Sequence, residues 1–144
     1  MDFTDFKDFM TLKTYTTTAI ILNRKDFGEA DRLLVFYSPE YGKIEAIATS
    51  AKKSSSKMAK FLEPLQEVEL MLARGKTFDR VAEVKLLDNF SELKQDYKLW
   101  SLSCYWLEVV DKLTKLEYSQ PDIFYFLNEV LEVLKTEIKT TILP

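Results

Sequence analysis

The hydrophobic period of the chain changes near Asp88, and this change limits the possible folds more than any other feature. Before it, short apolar runs rich in Thr, Val and Ile, which favour strands, alternate with turns that contain Gly or Pro. After it, apolar residues recur at the spacing of amphipathic helices. The chain is therefore expected to fold as an α+β protein, with its strands first and its helices second.

The strand-like part, from Tyr15 to Asp88, predicts five strands. Three of them alternate, with one apolar face each: Ile44, Ala46 and Ala48 in the third, Val68, Leu70 and Leu72 in the fourth, and Ala82, Val84 and Leu86 in the fifth. A longer link, residues 50–64, separates the third strand from the fourth. Five strands with this link predict a small OB-type β-barrel, although a five-stranded SH3-like barrel would show the same count.

The helical part predicts about two helices. Residues 90–116 read as one helix with two apolar stripes, for which Ser91 is a suitable N-cap. Pro121 suits the first turn of a second helix. The predicted division of the chain is an N-terminal extension at 1–12, an OB-fold nucleic-acid-binding domain at 13–88 and a helical domain at 89–144.

The charges are distributed unevenly along a chain whose net charge is −3. Residues 10–87 carry 13 Lys and Arg against 10 Asp and Glu, whereas residues 88–144 carry 6 against 10. This asymmetry predicts that the barrel part faces an anionic partner.

Residues 1–9 fit neither a strand nor a helix pattern, because they alternate Asp and Phe. They read either as a frayed tail or as a short acidic-aromatic peptide that docks in a groove, in this chain or on a partner.

Cations cluster near the predicted strand ends and in the long link, where they are candidates for phosphate contacts. The candidate nucleic-acid-binding residues are Arg24, Lys25, Arg32, Lys43, Lys52, Lys53, Lys57, Lys60, Arg74, Lys76 and Arg80. Nearby aromatic residues are candidates for stacking on bases: Phe27, Phe36, Tyr37, Tyr41 and Phe78. A basic link rich in serine is equally typical of a solvated loop, so the lysines alone do not decide between the two interpretations.

The sequence offers little for catalysis or for a cofactor. His is absent, the single Cys104 lies in apolar helical sequence, and the 3 Gly form no phosphate-binding loop. A zinc site with the usual Cys and His ligands is excluded within this chain, and we expect no cofactor and no enzymatic activity. Neither a membrane span nor a signal peptide is evident, so the expected location is the cytoplasm.

Four motifs stand out in the strand-like part: Phe27-Gly28-Glu29-Ala30-Asp31-Arg32 at the first hairpin, Tyr41-Gly42-Lys43-Ile44 at the second, Ala51-Lys52-Lys53 after the third strand, and Pro64-Leu65 before the fourth. Together they resemble the N-terminal region of the RecO family of recombination-mediator DNA repair proteins. The resemblance covers roughly residues 10–140 and is strongest over 17–90.

The resemblance implies an OB domain followed by a helical domain, without enzymatic activity. It further implies binding to single- and double-stranded DNA, annealing of complementary strands, and contacts with RecR and the single-stranded DNA-binding protein, which help to load the RecA recombinase at the nucleoid. In the family, basic segments contain positions that match Arg24, Lys25, Arg32, Lys43, Lys52 and Lys53. The remaining candidates rest on charge alone.

The chain departs from the family in its helical part. Family members usually continue for about another hundred residues, and many carry a four-cysteine zinc module there that this chain lacks. We therefore expect a fragment, a shortened homologue, or a chain whose helices a partner covers. The alternative to a DNA-binding role is a protein-interaction module, in which the barrel and exposed helices assemble with other chains and DNA contact is incidental.

Overall fold

The computed structural model describes residues 13–52 and 57–142, with side chains up to Glu137 in the last helix. The extension predicted at residues 1–12 and the candidate cation Lys53 lie outside the described residues. No helix within the described residues is long and apolar enough to cross a membrane.

Five strands close into a barrel, which confirms the predicted OB-type fold. They are β1 (Thr14–Phe27), β2 (Asp31–Ser38), β3 (Gly42–Ala48), β4 (Glu67–Ala73) and β5 (Asp79–Asp88). The strands pair in the order β1-β2-β3-β5-β4, and β4 closes the barrel by pairing with β1. All pairs are antiparallel except β3 with β5. The long β1 makes closure possible, because its first half pairs with β4 and its second half with β2.

The barrel interior follows the predicted alternation except in β5. The predicted faces of β3 and β4 are buried, and Val84 and Leu86 of β5 pack against the same core. The prediction was wrong at Ala82, which is exposed, whereas Val81 is buried. Met71 of β4 pairs with Glu83 and Leu72 pairs with Val81, so Ala82 is an extra residue in the ladder. This bulge changes which residues of β5 face inward.

The helical part has the two long helices predicted, preceded by one short helix. The described helices are α1 (Ser91–Lys94), α2 (Tyr97–Leu113) and α3 (Pro121–Ile142). The prediction of one continuous helix over residues 90–116 was wrong. The backbone of Asp96 is extended, and its side chain accepts a hydrogen bond from Leu99 N in the first turn of α2. Ser91 is the first residue of α1 and not its N-cap, which is Phe90. Pro121 begins α3, as predicted.

A second apolar core joins the barrel to the helices. It combines Ile20, Leu22, Val35 and Tyr37 of the barrel with Phe90, Leu93, Leu107, Val110, Leu127 and Leu131 of the helical part. The middle of β1 is therefore buried on both faces, which explains its continuous apolar sequence. In contrast, residues 24–29 at the end of the β1–β2 hairpin extend beyond both cores and are exposed.

Glu67 lies where the barrel meets α3, and it accepts a 2.6 Å hydrogen bond from Asn128 Nδ2. Burial, followed by the nearby carboxylates of Asp88 and Glu132, raises the pKa of Glu67. A carboxyl group with a raised pKa holds its proton more tightly in the folded state. The free energy of unfolding therefore falls as the pH rises through the unfolded-state pKa and then the folded-state pKa.

We expect Glu67→Gln to raise the free energy of unfolding at pH 7 by up to about 1 kcal/mol, because glutamine carries no charge to desolvate and keeps an acceptor for Asn128. The gain should disappear below about pH 4, where the wild-type carboxyl is protonated in both states. Urea unfolding across pH measures this, with Glu69→Gln on the exposed face of β4 as the matched control. A gain that does not depend on pH would contradict the prediction.

Candidate nucleic-acid interface

One row of side chains crosses four strands on the outside of the barrel. The backbone register places Lys25 of β1 opposite Leu33 of β2, and Leu33 opposite Ile47 of β3. Ile47 in turn pairs with Arg80 of β5. Partners in register share a face of the sheet, and the neighbouring Ala46 points into the barrel core, so this row faces outward. A cation stands at each end of the row, roughly 14 Å apart at the usual strand spacing.

Two phenylalanines lie next to this row. The rings of Phe27, at the end of β1, and Phe78, just before β5, meet edge to face with 5.5 Å between their centroids. Phe27 stays 39% exposed. Their contact joins the β1–β2 loop to the β4–β5 loop, the two loops with which OB folds hold ligands. We call Lys25, Phe27, Phe78 and Arg80 the outer patch.

The opposite face of the same hairpin carries two arginines that share one carboxylate. Glu63 Oε1 lies 2.7 Å from Arg24 Nη1 and 3.8 Å from Arg32 Nη1. Arg32 Nε is buried and has no hydrogen-bond partner among the described residues. Two guanidinium groups on one carboxylate leave a net positive charge and spare donors, which favours a bound phosphate.

The long link begins at the β1–β2 hairpin, with Lys52 on the same face as Arg24 and Arg32. The backbone N–H of Lys52 donates a 2.9 Å hydrogen bond to Ala30 O, which fixes the start of the link to the hairpin. The Lys52 ammonium lies 3.4 Å from Asp26 Oδ2, one residue before Phe27. Farther along, Lys57 is exposed and the Lys60 ammonium lies 4.9 Å from the ring centroid of Phe61.

Arg74 and Lys76 line a different surface, a groove of about 480 Å³ that no outer-patch residue lines. The groove lies between the β4–β5 loop, the start of β1, the β2–β3 turn and the link from α2 to α3. The Arg74 guanidinium carbon is 4.4 Å from the ring centroid of Tyr15 and 5.9 Å from that of Tyr41. The structure therefore places predicted cations on three surfaces: the outer patch, the opposite face of the hairpin and this groove.

Lys43 fastens the barrel to the end of α2 and is only 14% exposed. Its ammonium lies 2.7 Å from Asp111 Oδ1 and donates a 2.6 Å hydrogen bond to Asp111 O. We expect Lys43→Gln to lower the free energy of unfolding by about 1–3 kcal/mol, because it leaves a partly buried carboxylate unpaired. Urea unfolding measures this, with the exposed Lys85→Gln as control. Equal stability of the two variants would show that the ion pair is dispensable.

The prediction that aromatic residues stack on bases was wrong for two of them. Phe36 and Tyr37 are fully buried, the first in the barrel core and the second under the helices, so neither ring reaches a base. Tyr41 is partly buried and its ring packs 4.7 Å from that of Tyr15. Phe27 and Phe78 are the predicted aromatics that the structure places at the outer patch.

Cys104 is partly buried in α2. Burial raises the pKa of the Cys104 thiol, which keeps it protonated and unreactive near neutral pH. No group of three or more Cys, Asp or Glu side chains in residues 13–52 and 57–137 is placed to hold a metal ion.

A closed five-stranded barrel followed by helices defines the chain as an OB-fold protein. A family model described as "Recombination protein O N terminal" matches residues 10–90. The chain therefore belongs to the RecO family, as its motifs indicated.

Relatives with the name DNA repair protein RecO support this assignment. The chain is 35% identical over 123 residues to the protein of Syntrophobacter fumaroxidans, which covers 85% of this chain and 49% of the relative. For Synechococcus elongatus the identity is 33% over 132 residues, covering 92% and 50%. For Cutibacterium acnes it is 36% over 107 residues, covering 74% and 44%. The chain thus spans about half the length of these curated relatives.

Proposed function

We propose that the chain is a non-enzymatic DNA-binding protein of DNA repair and homologous recombination. Residues 13–88 would bind single- and double-stranded DNA without sequence specificity, and residues 89–144 would form a helical domain. The outer patch supports this most directly, because two cations flank an aromatic pair on the face where OB folds hold oligonucleotides. The names of the relatives point to the same process.

Strand annealing follows from the same chemistry. Cations release counterions from phosphates whatever the sequence, and this neutralisation weakens the repulsion between two complementary strands. The outer patch faces one side of the hairpin and the Arg24–Arg32 cluster the other, so one hairpin offers cations in two directions. In this proposal, RecR and the single-stranded DNA-binding protein act as partners in the cytoplasm, at the nucleoid, and RecA loading follows.

The test is fluorescence anisotropy with labelled oligonucleotides of two unrelated sequences, single- and double-stranded, across salt. We expect log K to fall linearly with log salt and the two sequences to bind equally, because phosphate contacts carry no sequence information. A stopped-flow annealing assay with complementary strands should show acceleration by the protein. Absence of binding at about 0.1 M salt would overturn the proposal.

A protein-interaction module is the second candidate, and the outer surface of the helices favours it. Leu102, Tyr105 and Phe126 are each about half exposed, and Trp106 contacts the rings of both Tyr105 and Phe126. A contiguous apolar surface of this kind is typical of a binding surface for another protein. Sedimentation velocity that shows self-association, combined with no binding to DNA, would favour this candidate.

A further inference from the structure

A cleft of about 910 Å³ lies between the second half of β1, the long link, α1 and α2. Its apolar lining comes from Leu22 of β1, Pro64 of the link, and Trp100 and Leu107 of α2. The Trp100 ring packs on the second apolar core but is only partly buried, so part of it faces the cleft. The volume and the mixed lining are typical of a ligand site.

The charge of the cleft favours an anionic ligand. Each of the three carboxylates in its lining lies within 2.8 Å of a cation: Glu63 of Arg24, Asp111 of Lys43, and Glu108 of Lys112. Lys25 and Lys94 also line the cleft, are exposed, and form no ion pair with any described residue. Two ammonium groups are therefore left for phosphates.

The cleft continues the outer patch, because Lys25 belongs to both. In the helical part, the Lys94 ammonium lies 5.9 Å from the centroid of the Trp100 ring. A DNA strand that crosses the outer patch toward Lys25 would therefore meet a second combination of cation and aromatic ring in the cleft. Cations that follow the backbone and rings that stack on bases are the means by which proteins hold single strands.

We propose that the cleft holds a base of a single DNA strand where that strand leaves the outer patch. The base stacks on Trp100, and Lys25 and Lys94 contact the phosphates on its two sides. The bases of a duplex are paired and stacked on one another, so a duplex reaches the outer patch but not this ring. The cleft therefore makes the chain bind single strands more tightly than duplexes, a preference that rests on the proposed function and adds to it.

Tryptophan fluorescence tests the contact, because the chain contains only Trp100 and Trp106. Trp106 packs against Tyr105 and Phe126, so Trp106→Phe leaves Trp100 as the sole reporter. We expect single-stranded oligothymidylate to quench its emission several-fold more than a duplex of the same length, with both shown to be bound by anisotropy. Unchanged emission with the bound single strand would overturn this inference alone, whereas absence of any DNA binding would overturn the proposed function as well.

A single substitution separates the cleft from net charge. We expect Lys94→Gln to weaken the binding of oligothymidylate about 3- to 10-fold near 0.15 M salt, and to flatten the plot of log K against log salt by about 0.7. Duplex binding should not change. The matched control is Lys98→Gln, an exposed lysine that does not line the cleft. Equal losses in the two variants, or equal losses for single strand and duplex, would overturn the inference.

Alkylation of Cys104 tests the same site in the unmodified chain. Cys104 is the only cysteine, and it lines the cleft. We expect saturating oligothymidylate to slow its reaction with iodoacetamide several-fold at about pH 8.5, because the bound base restricts access to the thiol. A bound duplex should leave the rate unchanged. Equal rates with and without the bound single strand would overturn the inference.

Discussion

Replacing Lys25, Lys52 and Arg80 together by glutamine is expected to lower the affinity for single-stranded DNA about 10- to 100-fold near 0.15 M salt. Lys25 and Arg80 end the row that crosses the barrel, and Lys52 lies on the opposite face of the same hairpin, where its ammonium pairs with Asp26. Each lost phosphate contact should also flatten the plot of log K against log salt by about 0.7, or roughly 2 in total. Fluorescence anisotropy across salt measures both effects.

The control is Lys85→Gln/Lys98→Gln/Lys115→Gln, which changes the net charge equally at exposed positions away from the outer patch. We expect it to weaken binding less than about 3-fold. A second comparison is Phe27→Ala/Phe78→Ala, which removes stacking worth about 1–3 kcal/mol per base and leaves the salt slope unchanged. Equal losses of affinity in the two triple variants would show that net charge, and not the position of the cations, sets the affinity.

The barrel could be predicted from the sequence because strand alternation and turn residues are local signals. The exposure of Ala82 could not be predicted in this way, because it depends on how Met71 and Leu72 of the facing strand pair with β5. The break between α1 and α2 at Asp96 could not be predicted from the sequence either. The apolar residues on both sides of Asp96 keep a helical period, and only its extended backbone shows that α2 begins as a separate helix.

The individual cations of the interface were visible in the sequence, but their grouping was not. Glu63, which holds Arg24, lies 39 residues from it, and Asp111, which engages Lys43, lies 68 residues away. Charge counts carry no information on such pairs, so Lys43 and Lys25 looked equivalent. The strand register distinguishes the two lysines, because it places Lys25 in the outward-facing row, whereas Lys43 lies under the end of α2.

Gly42→Ala is expected to lower the free energy of unfolding by about 3 kcal/mol or more, the largest single-residue effect that we predict for stability. Gly42 has a φ of 68°, which strains any residue with a Cβ. A Cβ there would also stand 2.2 Å from Tyr118 O, a backbone atom of the link from α2 to α3. That link is hydrogen-bonded to β3 through Glu117 N and Lys43 O, so it cannot move away without losing the bond. Urea unfolding measures the loss.

Gly28→Ala is the matched control, because Gly28 has the same φ of 68° and nothing lies within 4 Å of a Cβ built there. Its cost should be limited to the backbone strain, about 1 kcal/mol. The difference between the two variants isolates the contact between the β2–β3 turn and the helical link. If both cost the same, the link would be able to shift freely, and the helices would be joined to the barrel by the second apolar core and the Lys43 ion pair without help from this turn.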